Sequence, residues 1–195
     1  MTRNTSTGAW VRIAVIAIAA VATQTSVQAA AIDLDTATIA DINNAFDAGT
    51  LTSEKLVKMY LKRIETYDKK GPAINTVITL NEKVIEQARA LDKERKTKGR
   101  RSPVHGIPIV LKDNYDTYDM PTTAGSLILK GSIPPDDAFV VKKLREAGVV
   151  ILAKVNLSEF AGSGGSVSGA TDPEVLKKGA VPNGSSSMGG QTHNP

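Results

Sequence analysis

Cysteine is absent from the 195 residues, which removes disulfides, thiolate metal sites and a cysteine nucleophile together. Histidine is scarce, with only His105 and His193 present, too few for most metal sites. A strong charge of either sign is missing as well. The 24 basic and 20 acidic residues give a formal charge of +4, a weak footing for nucleic-acid binding. A membrane span is also lacking at the N-terminus, where the stretch Ile13 to Ala22 carries ten residues without a polar or charged side chain against the roughly 20 needed to cross a bilayer. What remains is 41% hydrophobic and 23% charged, a globular composition of about one domain's length.

The same N-terminal stretch reads as an export signal. Arg3 and Arg12 precede the apolar run, polar Thr23 to Ser26 follows it, and Val27-Gln28-Ala29 has a small-x-small cleavage pattern. Residues 1–29 are therefore expected to be a signal peptide, with a mature chain starting at Ala30 or within two residues of it and exported to the periplasm or the extracellular space without a stable membrane anchor. Cleavage removes two arginines and no acid, and the formal charge falls to +2.

Beyond the signal, Ile39, Ile42 and Phe46 recur at helical spacing before Gly49, and a second helix after Thr52 puts Leu56, Val57, Tyr60, Leu61 and Ile64 on one face. Ile74 to Leu80 reads as a strand, and Asn81 as the cap of a third helix with Val84, Ile85, Ala88 and Leu91 inward. That helix ends in Lys93, Arg95, Lys96, Lys98, Arg100 and Arg101. No aromatic is interleaved and Asp92 and Glu94 are mixed in, so the run reads as a solvated helix end favoured by the macrodipole and not as a nucleic-acid patch. Next comes βαβ grammar: strand Ile107 to Leu111, a helix from Asp137 with Ala138, Val141, Leu144 and Ala147 inward, and strand Val149 to Leu152 after Gly148. A right-handed crossover between parallel strands follows, with chemistry expected at their carboxyl ends, where Lys112 and Lys154-Val155-Asn156 fall. From Phe160 onward no periodic segment is expected.

Two motifs fail on inspection. Gly164 and Gly169 have phosphate-loop spacing, but Ala170 stands where the lysine must be, and no Gly-x-Ser-x-Gly elbow occurs. His105 and His193 lack an evident acidic orienter and read as hydrogen-bonded loop histidines. Lys112 is the sharper question, because it ends an apolar run. A buried lysine head must be neutral or paired; otherwise it snorkels outward and pairs with Asp113 or Asp116. The residues alone leave both open.

The ordered segments "HGIPIVLKDNYDT", "MPTTAGS", "DDAFVVKKLREAGVVILAKVNLSEFA" and "GGQTHNP" closely resemble the amidase signature family, over about residues 33 to 195 and most specifically over 104 to 161. The resemblance implies an α/β fold, an α/β/α sandwich around a mixed sheet, of which residues 30–195 would be the N-terminal, incomplete part. It also implies hydrolysis of carboxamide C–N bonds, non-peptide or C-terminal, in a small-molecule or peptide substrate. The family uses a Ser-Ser-Lys mechanism without metal or organic cofactor. The catalytic lysine falls on Lys112, whose burial at the strand end is expected to favour the neutral form. Asp113, Asn114, Thr123, Gly125, Ser126, Asn156, Gly162 and Gln191 are implied to lie near the site. Both serines would lie beyond Pro195, and Asn183 to Gly190, upstream of "GGQTHNP", reads as a loop. The chain alone is then expected to be inactive, the rival reading being a truncated remnant or a binding domain. Strands with uncovered edges leave self-association open.

Overall fold

The computed structural model describes residues 32–162 and 182–194. The expected signal segment and the glycine-rich stretch from 163 to 181 lie outside the described residues.

Two capped helices lead. Helix α1, Ile39–Asp47, starts in a reciprocal capping box between Thr38 and Asp41, and α2, Ser53–Tyr67, starts where the Thr52 side chain accepts from the Lys55 amide. Strand β1 is the short Val77–Leu80. Helix α3 runs Val84–Lys98, later than expected. Asn81 does not cap it in the usual way: its Oδ1 accepts from the Lys83 amide, while its Nδ2 reaches the Ile151 carbonyl across the sheet. Strand β2 is Pro108–Lys112, α4 is Phe139–Glu146 and β3 is Val150–Val155.

The three strands form one mixed sheet in the order β1-β3-β2. β2 and β3 are parallel, as the β2-α4-β3 unit requires, and β1 runs antiparallel to β3. Central β3 is buried from Val150 through Lys154. Val150 and Leu152 pack with Val57, Val84 and Ala88 of α2 and α3, while Ile151 packs with Leu111, Met120 and Val141 of α4 on the other face. Helices thus cover both sheet faces, the layering of an α/β/α fold.

The parallel register shifts in one place. Ile109 pairs with Ile151, but Val110 pairs with Ala153, leaving Leu152 over as a bulge. Among the described residues β2 is an edge strand, and Val110 on it is 47% exposed. The expectation of an apolar strand buried on both faces therefore holds for β3 and fails for β2. The loop expected from Asn183 to Gly190 contains a small antiparallel ladder instead, β4 (Ser185–Ser186) with β5 (Gly190–Gln191).

Candidate active site

Lys112 ends β2 and is exposed, which corrects the expectation of a buried lysine. The physical reason lies in the topology: β2 is the sheet edge, and successive side chains leave a strand on opposite faces, so Leu111 and Asp113 turn inward and Lys112 outward. It opens onto a groove of about 400 Å³ shared with Leu157, Ser158, Asn183, Thr192 and His193. A larger apolar cleft lies between Tyr60, Tyr67, Pro72 and Ile74; it holds none of the residues expected to carry chemistry, whereas the smaller, more polar groove holds Lys112.

The buried lysine is Lys154, fully enclosed on β3. Its Nζ donates to Thr122 Oγ1 at 2.8 Å and to the Pro121 carbonyl at 3.1 Å, and stands 3.4 Å from Asp113 Oδ1, close enough for an ion pair. Burial pushes the Lys154 amine below its usual range, with the Asp113 charge acting in the opposite direction. Asp113 is equally enclosed. Its Oδ2 accepts from the Thr123 amide at 3.1 Å and from the Thr123 hydroxyl. Its backbone is tied too, the amide to the Val155 carbonyl and the carbonyl to the Ala124 amide. The residue after Lys112 is thus fastened to β3 and to the Pro121–Gly125 loop at once.

That loop seats the C-terminal hairpin. Gly125, at φ 78°, takes a conformation that side chains rarely adopt, and a Cβ there would stand 2.8 Å from the Cβ of Ser186. Its carbonyl accepts from the Met188 amide. Ser126 is buried, and Ser187 Oγ accepts from the next amide, that of Leu127. Glu159 accepts from the Ser187 amide at 2.7 Å, and hydrogen bonds led by the Ser126 hydroxyl hold its carboxyl below the usual range.

Asn156, just past β3, is the hairpin's second anchor. Its Nδ2 donates to the Gly190 carbonyl at 2.9 Å and to Thr192 Oγ1 at 3.0 Å, and its Oδ1 accepts from Ser186 Oγ at 2.6 Å. Gly189 lies so close that a Cβ would be 2.6 Å from the Asn156 amide. Gln191 donates to the Asn183 and Thr192 carbonyls, and its buried Oε1 has no hydrogen-bond partner among the described residues.

The expected near-site residues thus divide. Asp113, Thr123, Gly125, Ser126, Asn156 and Gln191 belong to one connected framework beside Lys112. Asn114 is exposed, and Gly162 ends the 3-10 turn Glu159–Gly162 at φ 84°. His105 is a buried structural histidine, accepting from the Arg101 amide at Nδ1 and facing the Leu91 carbonyl with Nε2. His193, read as an ordinary loop residue, lies in the Lys112 groove with its amide on the Ile74 carbonyl. Sequence reading missed Ser158, whose hydroxyl donates to Asn183 Oδ1 at 2.6 Å and accepts from the Gly184 amide. Only its place four residues after Lys154 in "KVNLSEF" could have signalled it. Among the described residues no cluster of His, Asp and Glu is arranged to hold a metal ion.

The family model named Amidase matches residues 55–195. A protein of Schizosaccharomyces pombe assigned as an amidase is 47% identical over 131 residues, 67% of this chain and 22% of that one. One component of the Streptomyces coelicolor glutamyl-tRNA(Gln) amidotransferase is 43% identical over 129 residues, 66% of this chain and 26% of its own. Among solved structures, the peptide amidase from Stenotrophomonas maltophilia superposes with a TM-score of 0.70 at 41% identity, covering 82% of this chain and 30% of that one. The chain spans about a quarter of the length of these curated relatives.

Proposed function

The chain belongs to the amidase family, and from that premise we propose that its function is hydrolysis of a carboxamide C–N bond, with Lys112 as the proton-handling amine. The observation that supports this reading most directly is the placement of Lys112: it stands at the carboxyl end of a parallel strand, in an open groove, on a turn fastened by Asp113. In open α/β sheets that position is where reacting groups collect.

In a Ser-Ser-Lys scheme the lysine takes a proton from a bridging serine, which takes one from the nucleophilic serine as that oxygen attacks the amide carbon. The same protons return to the leaving amine, and water then releases the acyl group. An amine serves as base only in its neutral form. The groove's own hydroxyl, Ser158, is engaged as both donor and acceptor and is not assigned as nucleophile. On this proposal neither serine is assigned among the described residues, and turnover is expected only when the rest of an amidase domain is present. The relatives include a peptide amidase, which makes peptide C-terminal amides the first substrates to try.

A second reading, a binding domain or inactive remnant, draws on the openness of the same groove. An assay separates the two. Purified chain is mixed with a polypeptide carrying the remainder of an amidase domain and offered peptide amides and simple carboxamides. Turnover that needs both pieces and is lost in Lys112→Ala supports the hydrolase. Turnover indifferent to Lys112→Ala, or none from any pairing that forms a complex, leaves the binding reading in its place.

A further inference from the structure

We propose that the buried Lys154–Asp113 pair is a positioning device for Lys112, its matched charges fastening the turn after β2 to the Pro121–Gly125 loop. The inference rests on the reading of Lys112 as the reactive amine and adds residues that touch no substrate.

Lys112 and Asp113 are consecutive, yet one is exposed and the other fully enclosed. Whatever holds Asp113 therefore sets the point from which the Lys112 side chain departs. Asp113 is held at its amide, its carbonyl and Oδ2. Oδ1 is different: among the described residues it has no hydrogen-bond partner, and the charge that faces it is that of Lys154 at 3.4 Å. A buried carboxylate oxygen without a donor needs a counter-charge. Lys154 supplies it while its own donors reach Thr122 and Pro121, so one side chain clamps the loop and balances the charge. Asp116 and Asp119 contribute more distantly, both acting on Lys154 in the same sense as Asp113.

Replacing one partner strands a buried charge, whereas replacing both removes the mismatch. The test uses the full chain, Lys154→Met, and the double variant Lys154→Met/Asp113→Asn. An amine-reactive ester labels each protein at one fixed pH, and mass spectrometry gives the rate at Lys112 relative to Lys58, an exposed α2 lysine. In Lys154→Met the Lys112/Lys58 ratio is expected to change by about threefold as the turn that carries Lys112 is released. In the double variant it is expected to return most of the way to the wild-type value, because the charge mismatch is gone while the Lys154 bonds to Thr122 and Pro121 are lost.

An unchanged ratio in Lys154→Met, even with a lower melting temperature, overturns the proposal and leaves the pair purely structural. A double variant displaced as far as the single one overturns it too. Should Lys154→Met fail to fold, Asp113→Asn supplies the single variant: a displaced ratio that the double variant restores supports the charge match, and an unchanged one refutes it. Labelling needs no turnover, so this result stands apart from the fate of the hydrolase reading.

Discussion

Asp68, one residue past the end of α2, is buried and gathers the start of β1. Its Oδ1 accepts from the Thr76 amide at 2.6 Å, and both oxygens lie 3.2 Å from the Val77 amide. Burial pushes this carboxyl up, but the Thr76 and Val77 hydrogen bonds together outweigh it, and the net direction is below 3.8. A carboxyl lowered by folding stabilises the protein above its unfolded value, and that contribution is lost as pH falls from about 3.8 toward the lower folded value. Asp68→Asn is expected to cost about 1.5–3 kcal/mol at pH 7, in line with hydrogen bonds to a charged group, and to flatten the acid limb of stability below pH ~4, read by urea unfolding across pH. Lys112→Ala removes an exposed side chain and is expected to move stability by no more than about 0.5 kcal/mol, so any effect it has on turnover is chemical. At this scale the motif located Lys112 and its framework, but not their burial. Strict alternation puts Lys154 in phase with Val150 and Leu152, whereas the bulge at Leu152 turns it toward Asp113, and nothing in the residue order announces that bulge.

Elements with a strong period and a cap were legible. Helices α1 and α2 begin at Thr38 and Thr52 as their capping residues dictate, and Thr52→Ala is expected to cost about 1 kcal/mol by thermal unfolding, the usual loss for a removed N-cap. The βαβ unit was legible because Gly148 separates a helical pattern from an apolar run. The antiparallel seat of β1 beside β3 was not, since a four-residue strand states no partner. The β4–β5 ladder was illegible for a related reason. Its two-residue strands are held by Asn156 and Gly125, tens of residues away in sequence, and local pattern carries no trace of such contacts.

Across the whole molecule, apolar surface remains open. Ile128 is 87% exposed, Phe139 78% and Ile133 57%, and the β2 edge shows Val110 to solvent. Unpaired edges and uncovered apolar side chains favour association. The chain is expected to self-associate with rising concentration in light scattering, and to melt cooperatively only when the remainder of an amidase domain is supplied. A soluble monomer with a sharp two-state melt at all concentrations would show that residues 32–194 close their own core.

The hairpin's tether to Asn75 reaches far along the chain: Asn75 Nδ2 donates to the Gly189 and Gln191 carbonyls, and its own carbonyl accepts from Thr192 Oγ1, separations of 114 to 117 residues. Contacts of such span must wait for large loops to close, so they form late in folding and open early. During synthesis the hairpin's residues also leave the ribosome after every strand of the sheet they dock beside. The amides of Met188 and Thr192 are therefore expected to exchange hydrogen well ahead of those of Ile151 and Leu152. One wall of the groove around Lys112 is put up late and taken down early, which makes the timing of this region a property of its architecture and not of the amine it surrounds.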